Sequence, residues 1–390
     1  MITVDAALSH LFALVEPVAI EEVPLAEASG RILAREVTAR RDQPPFAASA
    51  MDGYAIRADE ATPGARFTVI GEAAAGHGFG RPVNAGEAVR IFTGAPLPEG
   101  ATRVIIQEDV TRGGDTITLG TDIGTKDHIR PAGCDFREGQ SIAAPRLLRP
   151  ADIALLASMN IADVPVRRKP QIALMSTGDE LVMPGEAPGP DQIIASNTFG
   201  LKALLDSLGA EARILPIARD TVSSLTAGFT LAHGADLIVT IGGASVGDHD
   251  LVGQVAGDLG MDRAFYKVAM RPGKPLMAGR MGDAAMVGLP GNPVSAMVCG
   301  HVFLAPMLRV MLGFGACPTP RKTAPLACPL PRNGPREHYM RAALSADGIR
   351  PEDKQDSSLL RILANAEALM VRPASDPARS AGEMVEYLPL

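Results

Sequence analysis

The sequence predicts a multidomain chain of mixed class, an α/β part joined to β parts. Three observations carry this. From Lys169 onward, short apolar runs alternate with helix-length segments, the pattern of a parallel sheet covered by helices on both faces. Residues 40–145 lack that alternation and offer short β-prone runs between Gly/Pro turns. Residues 318–335 hold six prolines, a break before a last stretch of short runs. With 390 residues the chain has room for two to four domains, and its 40 glycines and 32 prolines imply many sharp turns.

The elements follow in order. Thr3 is placed to cap a helix over residues 3–16, with Leu8, Leu11, Phe12 and Val15 on one face. Runs at 66–71, 88–92, 103–107 and 116–119 read as strands of a small β-rich domain. Pro150 suits the first turn of a helix running to Met159. In the α/β part, 172–175, 214–217, 237–241, 265–268 and 285–289 read as strands, and 198–208, 223–232 and 249–259 as the helices between the first four. The most apolar stretch, 294–317, is interrupted by His301, Pro306 and Arg309, so it reads as a buried helix and not a membrane span. Residues 339–390 read as short strands of a small barrel or sandwich, with 359–370 open between strand and helix.

Composition removes several function classes. Lys+Arg 37 against Asp+Glu 44 gives a net charge of −7, so a bulk basic face for nucleic acid or anionic membrane is missing. Trp is absent and aromatics are 4%, too few for base-stacking platforms. The chain starts without a basic leader, and the expectation is a cytoplasmic protein with no nucleic-acid or membrane partner. Cys134, Cys299, Cys317 and Cys328 form no C-x-x-C pair and no disulfide framework; Cys299 and His301 share an apolar run and read as packing.

The chemistry concentrates at the strand ends of the α/β part. The loops are Ser176-Thr177-Gly178-Asp179-Glu180, Arg219-Asp220, Gly242-Gly243-Ala244-Ser245-Val246-Gly247-Asp248, Arg271-Pro272-Gly273-Lys274-Pro275 and Leu289-Pro290-Gly291-Asn292-Pro293. Ligands of open parallel sheets bind outside the carboxyl ends of the strands. Any one such loop is an ordinary connection; all of them together are not. Gly242, Gly243 and Gly247 let backbone N–H groups approach a phosphate, and Arg271 and Lys274 add cations. Glu180, Asp220 and Asp250 are hard oxygen donors, and carboxylates beside a phosphate site point to Mg²⁺. Asp248 reads as a helix cap. Two lookalikes fail: Gly76-His77-Gly78-Phe79-Gly80 leads into Arg81-Pro82 and not a helix, and Gly273-Lys274 is followed by Pro275 instead of Ser or Thr. Asp52, in Ser49-Ala50-Met51-Asp52-Gly53-Tyr54-Ala55, and Asp135, in Gly133-Cys134-Asp135, read by themselves as turn acids beside glycine.

Taken together, Ser49–Ala55, the 91–100 segment with Thr93-Gly94-Ala95-Pro96, Ser176–Leu181, Gly242–Asp250, Arg271–Pro275 and the 289–296 segment resemble, in order, the motifs of the molybdopterin molybdotransferase family, the MoeA type that includes the gephyrin E domain. The resemblance spans most of the chain and is weakest in the last 50 residues. It implies an elongated homodimer whose subunits have a largely helical connecting domain over 1–40 and 138–168, an inserted β domain over 41–137, an α/β pterin-binding domain over 169–315 and a β-barrel-like domain over 316–390. It implies insertion of molybdenum from molybdate into the dithiolene of adenylated molybdopterin, with Mg²⁺-assisted release of AMP, and a contact with the molybdopterin adenylyltransferase. The active cleft of such proteins joins the α/β domain of one subunit to the Asp-bearing β domain of the other. An adenylyltransferase and a non-catalytic pterin-binding scaffold are the alternatives.

Carried over by position, the resemblance makes Asp52, Asp135 and Asp220 the catalytic acids and Glu180, Asp220 and Asp250 the metal ligands. It places the substrates against Thr93, Ser176, Thr177, Gly178, Glu180, Gly242, Gly243, Ser245, Gly247, Pro290, Asn292 and Pro293. The oxyanion falls to Arg271, Lys274, Pro275, Arg336 or Arg341, and Ser358. Family members often carry Lys where this chain has Arg271, which replaces a compact ammonium by a planar fork.

Overall fold

The computed structural model describes residues 1–243 and 251–390. They form two compact units: Glu22–Pro165, and Met1–Glu21 together with Val166–Leu390.

The Glu22–Pro165 unit is built on a mixed six-stranded sheet. Its order is Arg103–Ile106, Gly53–Ile56, Glu87–Ile91, Arg66–Ala73, Thr116–Leu119, Val110–Gly113. Neighbours are antiparallel except Arg66–Ala73 with Glu87–Ile91. Successive residues feed opposite faces. Tyr54, Ile56, Ala88 and Ile105 join Phe67 and Ile117 in one apolar cluster, while Ala55, Val89 and Val104 join Ala73 and Val83 in another. Both faces are therefore covered. Asp52-Gly53, which reads from sequence as a turn, leads into the strand Gly53–Ile56, which has a neighbour on each side. Ala55 and Ile56 are fully buried, and burial on both faces outweighs the turn preference of Asp52-Gly53.

The segments 1–40 and 138–168 are less helical than expected. Besides the helices Val4–Phe12 and Pro150–Ser158 they carry the short strands Ile20–Pro24, Ile32–Leu33, Val37–Thr38, Ser141–Ile142, Arg146–Leu147 and Asp163–Arg167. Thr3 Oγ1 does cap the first helix, accepting from the Ala6 N–H at 3.2 Å.

In the other unit, the α/β sheet runs Glu211–Ile214, Gln171–Ser176, Leu237–Ile241, Ala284–Leu289, Met277–Met281, Asp262–Tyr266. The first four are parallel. Met277–Met281, absent from the strands expected from sequence, is antiparallel to both its neighbours, so the sheet is mixed and not purely parallel. Leu237–Ile241 and Ala284–Leu289 are buried along their whole length, as strands covered on both faces must be. The helices Asn197–Ser207, Val222–Leu231 and Leu251–Asp258 lie close to the expected positions. Two strands are displaced toward the N-terminus: Glu211–Ile214 replaces 214–217, because Pro216 cannot donate in a ladder, and Asp262–Tyr266 replaces 265–268.

The apolar helix is Pro293–Met311. It is long and apolar enough to cross a membrane, yet 83% of it is buried in the protein as a core helix. It passes through one π-helical stretch, Gly300–Leu304, just before Pro306. Proline lacks the N–H that an uninterrupted α-helix would require there.

The C-terminal strands Lys322–Pro325, Glu337–Ser345, Gly348–Pro351, Ala368–Arg372 and Met384–Pro389 pair in the order 337–345, 368–372, 384–389, 322–325. Gly348–Pro351 pairs with Glu337–Ser345, and the Leu326–Ile349 bridge closes the sheet on itself around Leu326, Ala342, Ile349, Ala368, Met370 and Val385. The 359–370 stretch divides, with a helix over Leu360–Asn365 before the strand. The proline-rich segment does not isolate these strands, because Met270–Arg271 pairs in parallel with Glu337–Ser345 within the same compact unit.

Candidate functional site

A cavity of about 940 Å³ lies at the carboxyl ends of the parallel strands. Ser176, Thr177, Gly178 and Glu180 reach it from one strand end, Asp220 from the next, Gly242 and Gly243 from the third, and Pro290, Asn292 and Pro293 from the fourth. Pro275 and, from the C-terminal strands' side, Ser358 also lie in its wall. Topology makes the convergence: the strands are parallel, so their exits share one edge. Ser245, Gly247 and Asp250, and Asp248 with them, lie outside the described residues.

The floor is tied by backbone bonds, Thr177 N–H to Ile241 O at 2.9 Å and Gly242 N–H to Leu289 O at 3.1 Å. Gly242 and Gly243 have φ of +101° and +66°. A Cβ at Gly242 would stand 2.5 Å from Thr177 O, and one at Gly243 would collide with Val252 Cγ2. Only glycine fits at either position. The Thr177 side chain is 2% exposed, and its hydroxyl has no hydrogen-bond partner among the described residues. A buried orphan hydroxyl in a cavity wall is a costly feature unless a ligand completes it.

The acidic rim is Asp179, Glu180 and Asp220. The Glu180 carboxylate folds back over Gly178, where a Cβ would overlap it. The Asp220 N–H donates to Asp179 Oδ1 at 3.2 Å. Burial pushes the Asp220 carboxyl up from its ordinary value, and the charges of Asp179 and Glu180 push it further. No group of three His, Cys, Asp or Glu side chains has metal-ligand geometry among the described residues. Glu180 and Asp220 nonetheless share a cavity, and their mutual repulsion is of the kind a divalent cation relieves.

The expected anion ligands Arg271, Lys274, Arg336 and Arg341 do not line this cavity. Arg271, Arg336 and Arg341 belong to a cationic cluster around His338 in the same unit. Arg271 stands opposite His338 in the Met270–Arg271 pairing, and Arg372 opposite it on the other side. Arg336 Nη1 donates to Met270 O at 3.4 Å. Arg341 is fully buried; its Nη2 donates to the carbonyls of Lys354 and Asp356, each at 3.0 Å, while Nε and Nη1 have no partner among the described residues. Asp356 Oδ1 accepts from the Ser358 N–H at 2.8 Å and the Ser358 hydroxyl at 2.6 Å, linking this cluster to the cavity wall. Burial, then the charges of Arg271, Arg341, Arg372 and Arg336, pull the His338 imidazole down to about 4, so it is neutral near pH 7. Its Nε2 is also unpartnered.

In the Glu22–Pro165 unit, Asp52 Oδ1 accepts from both the Thr93 N–H and the Thr93 hydroxyl, each at 2.8 Å. The Thr93 N–H, then its hydroxyl, hold the Asp52 carboxyl below its ordinary value, with a smaller contribution from Arg90. Asp135 is exposed, follows Gly133 at φ +65°, and makes no side-chain bond to Asp52 or Thr93.

Sequence reasoning passed over His338, Asp356 and Asn197, whose Nδ2 donates to Gly291 O at 2.7 Å and fixes the Pro-Gly-Asn-Pro turn. Asn197 alone carried a usable signal, as a polar residue at the start of a helix leaving a strand-end loop.

The fold and site define a protein of molybdopterin chemistry, and three family models match in sequence: MoeA N-terminal region (domain I and II) over residues 2–160, probable molybdopterin binding domain over 173–310, and MoeA C-terminal region (domain IV) over 323–390. A molybdopterin molybdenumtransferase of Haemophilus influenzae is 37% identical over 317 residues, 80% of this chain and 78% of that one. Molybdopterin molybdenumtransferase 2 of Mycobacterium tuberculosis is 34% identical over 380 residues, 93% of each chain. The crystal structure of a molybdopterin biosynthesis MoeA protein from Pyrococcus horikosii superposes with a TM-score of 0.86 at 30% identity, covering 100% of this chain and 99% of that one. The chain belongs to the MoeA family of molybdopterin molybdenumtransferases.

Proposed function

We propose that this chain inserts molybdenum from molybdate into the dithiolene of adenylated molybdopterin and releases AMP. The observation that carries the proposal is the cavity floor. The orphan Thr177 hydroxyl and the obligatory glycines Gly242 and Gly243 meet in one wall of the cavity, with Glu180 and Asp220 in the same lining. The adenylated pterin would lie here, against Ser176, Thr177, Gly178, Pro290, Asn292 and Pro293, with Ser245 and Gly247 from the 244–250 loop. Glu180 and Asp220, with Asp250, would hold Mg²⁺. Bound there, the ion would neutralise phosphate charge. Molybdate, a dianion, would take the unpartnered N–H groups of Arg341 with Arg271, Arg336, Lys274, Pro275 and Ser358. Asp52, steadied by Thr93, and Asp135 would act from the inserted domain of a partner copy in a homodimer, which keeps the four-part division expected from the sequence. A contact with the adenylyltransferase that supplies the substrate would follow from the shared intermediate.

Cleavage adds water across the phosphoanhydride P–O bond and frees AMP with its proton, while formation of the two Mo–S bonds releases one molybdate oxygen and the two thiol protons as water. The carboxylates lining the cavity, and the arginine cluster linked to its wall through Asp356 and Ser358, would orient both partners. The test is AMP release from adenylated molybdopterin and Mg²⁺, with and without molybdate, alongside Asp52→Asn. Molybdate-dependent release, lost in the variant with folding intact, is the expected result. Pyrophosphate release from ATP would instead identify an adenylyltransferase, and binding without turnover a scaffold.

A further inference from the structure

Asp52 sits where three strands meet. It precedes Gly53–Ile56, whose neighbours Glu87–Ile91 and Arg103–Ile106 run antiparallel to it and end at the same edge. Phe92 and Thr93 leave one neighbour, and Gln107 leaves the other, its N–H donating to Asp52 O at 3.1 Å. One side chain touches all three exits. Arg90 lies opposite Tyr54 in the register, with its guanidinium carbon 5.0 Å from the Tyr54 ring centre and 4.8 Å from that of Phe92. Its Nη1 donates to Gly53 O at 3.2 Å and its Nη2 to Gln107 Oε1 at 2.6 Å. A planar cation that stacks on rings and forks between two acceptors is what arginine, and not lysine, supplies.

We propose that Arg90 is a positioning residue: it locks the three strand ends so that Asp52, with Oδ1 engaged by Thr93, presents Oδ2 to the reacting group from a fixed place. This rests on the reading of Asp52 as a functional acid. General support of the sheet is a poorer account of Arg90. The two apolar clusters close the sheet, and both of its hydrogen bonds go to residues that bond or flank Asp52.

The experiment measures AMP release by the full chain with adenylated molybdopterin, molybdate and Mg²⁺. It compares Arg90→Met, Arg90→Lys, Asp52→Asn and the Arg90→Met/Asp52→Asn double variant. In Arg90→Met, kcat falls about tenfold or more while KM stays within about twofold and Tm stays near that of the parent. Arg90→Lys keeps the charge without the fork and stays impaired. The double variant is no slower than Asp52→Asn, because Arg90 acts through that acid. An unchanged kcat in Arg90→Met beside an inactive Asp52→Asn overturns the positioning role alone. A fully active Asp52→Asn overturns the acid reading beneath it. Additive losses in the double variant, or kcat, KM and Tm failing together, overturn the proposal in favour of a structural part. If Arg90→Met does not fold, Gln107→Ala removes one arm of the same clamp and is read by the same split between kcat and KM.

Discussion

Burial moves Asp220 and His338 in opposite directions, and each yields a pH signature. The Asp220 carboxyl is raised, so its ionised form costs the fold free energy, and the cost appears as pH rises from the ordinary carboxylate value through the raised one. Asp220→Asn removes the cost. At neutral pH without divalent cation the variant should melt slightly higher, on the order of 1 °C given solvent screening; on the proposed reading of Asp220 as a Mg²⁺ ligand, Mg²⁺ should raise the Tm of the parent and not that of the variant. A scan with and without Mg²⁺ checks both. His338 is a lowered base, so the fold binds its proton less tightly than the unfolded chain does. Stability is therefore whole above the ordinary 6.5 and drains away as pH falls toward about 4. In urea titrations, His338→Gln should lose less stability than the parent across that window, by roughly 3 kcal/mol at full titration. The two residues also differ in legibility. Asp220 could be found because it follows an apolar run at a strand end. His338 could not, because the charges that define it, Arg271 and Arg372, reach it only through strand pairing.

At the scale of elements, the parallel strands were readable because burial on both faces leaves continuous apolar runs, as in Leu237–Ile241. Gly53–Ile56 and Met277–Met281 were not. Each contains or starts at a glycine, a residue depleted in strands, that close packing requires there. A Cβ at Gly53 would collide with the Ile105 carbonyl oxygen, and one at Gly279 with the Asp262 carbonyl oxygen. Gly53→Ala should therefore destabilise the Glu22–Pro165 unit by about 3 kcal/mol, the upper end of overpacking costs, seen as a lower denaturant midpoint at unchanged slope. A neutral substitution there would mean that the sheet edge yields easily.

At the scale of the molecule, the ordered motifs carried the family, and the strands beyond the break at residue 318 close around their own apolar cluster while staying within the larger compact unit. The Met270–Arg271 pairing joins the C-terminal strands to the α/β unit, a contact no local pattern announces. Glu22–Pro165 is a compact unit by itself, and its sheet closes its own core on both faces. Residues 20–167 produced alone should unfold cooperatively in calorimetry, and the whole chain should show more than one transition. A non-cooperative fragment would show that the core needs the rest of the chain.

The discontinuity of the other unit has a consequence for biogenesis. Its first segment carries Ile2, which bridges Val268, and the Val4–Phe12 helix with Val4, Ala7, Leu8 and Leu11 buried in the finished protein. A ribosome making 5–20 residues per second delivers Val268 roughly 13 to 50 s after Ile2. Through that interval the nascent amino terminus carries an amphipathic helix with nowhere to dock, while the Glu22–Pro165 unit can already fold behind it. The Val4–Phe12 segment thus waits for strands made far downstream before it is buried, and it offers a molecular chaperone a defined client segment.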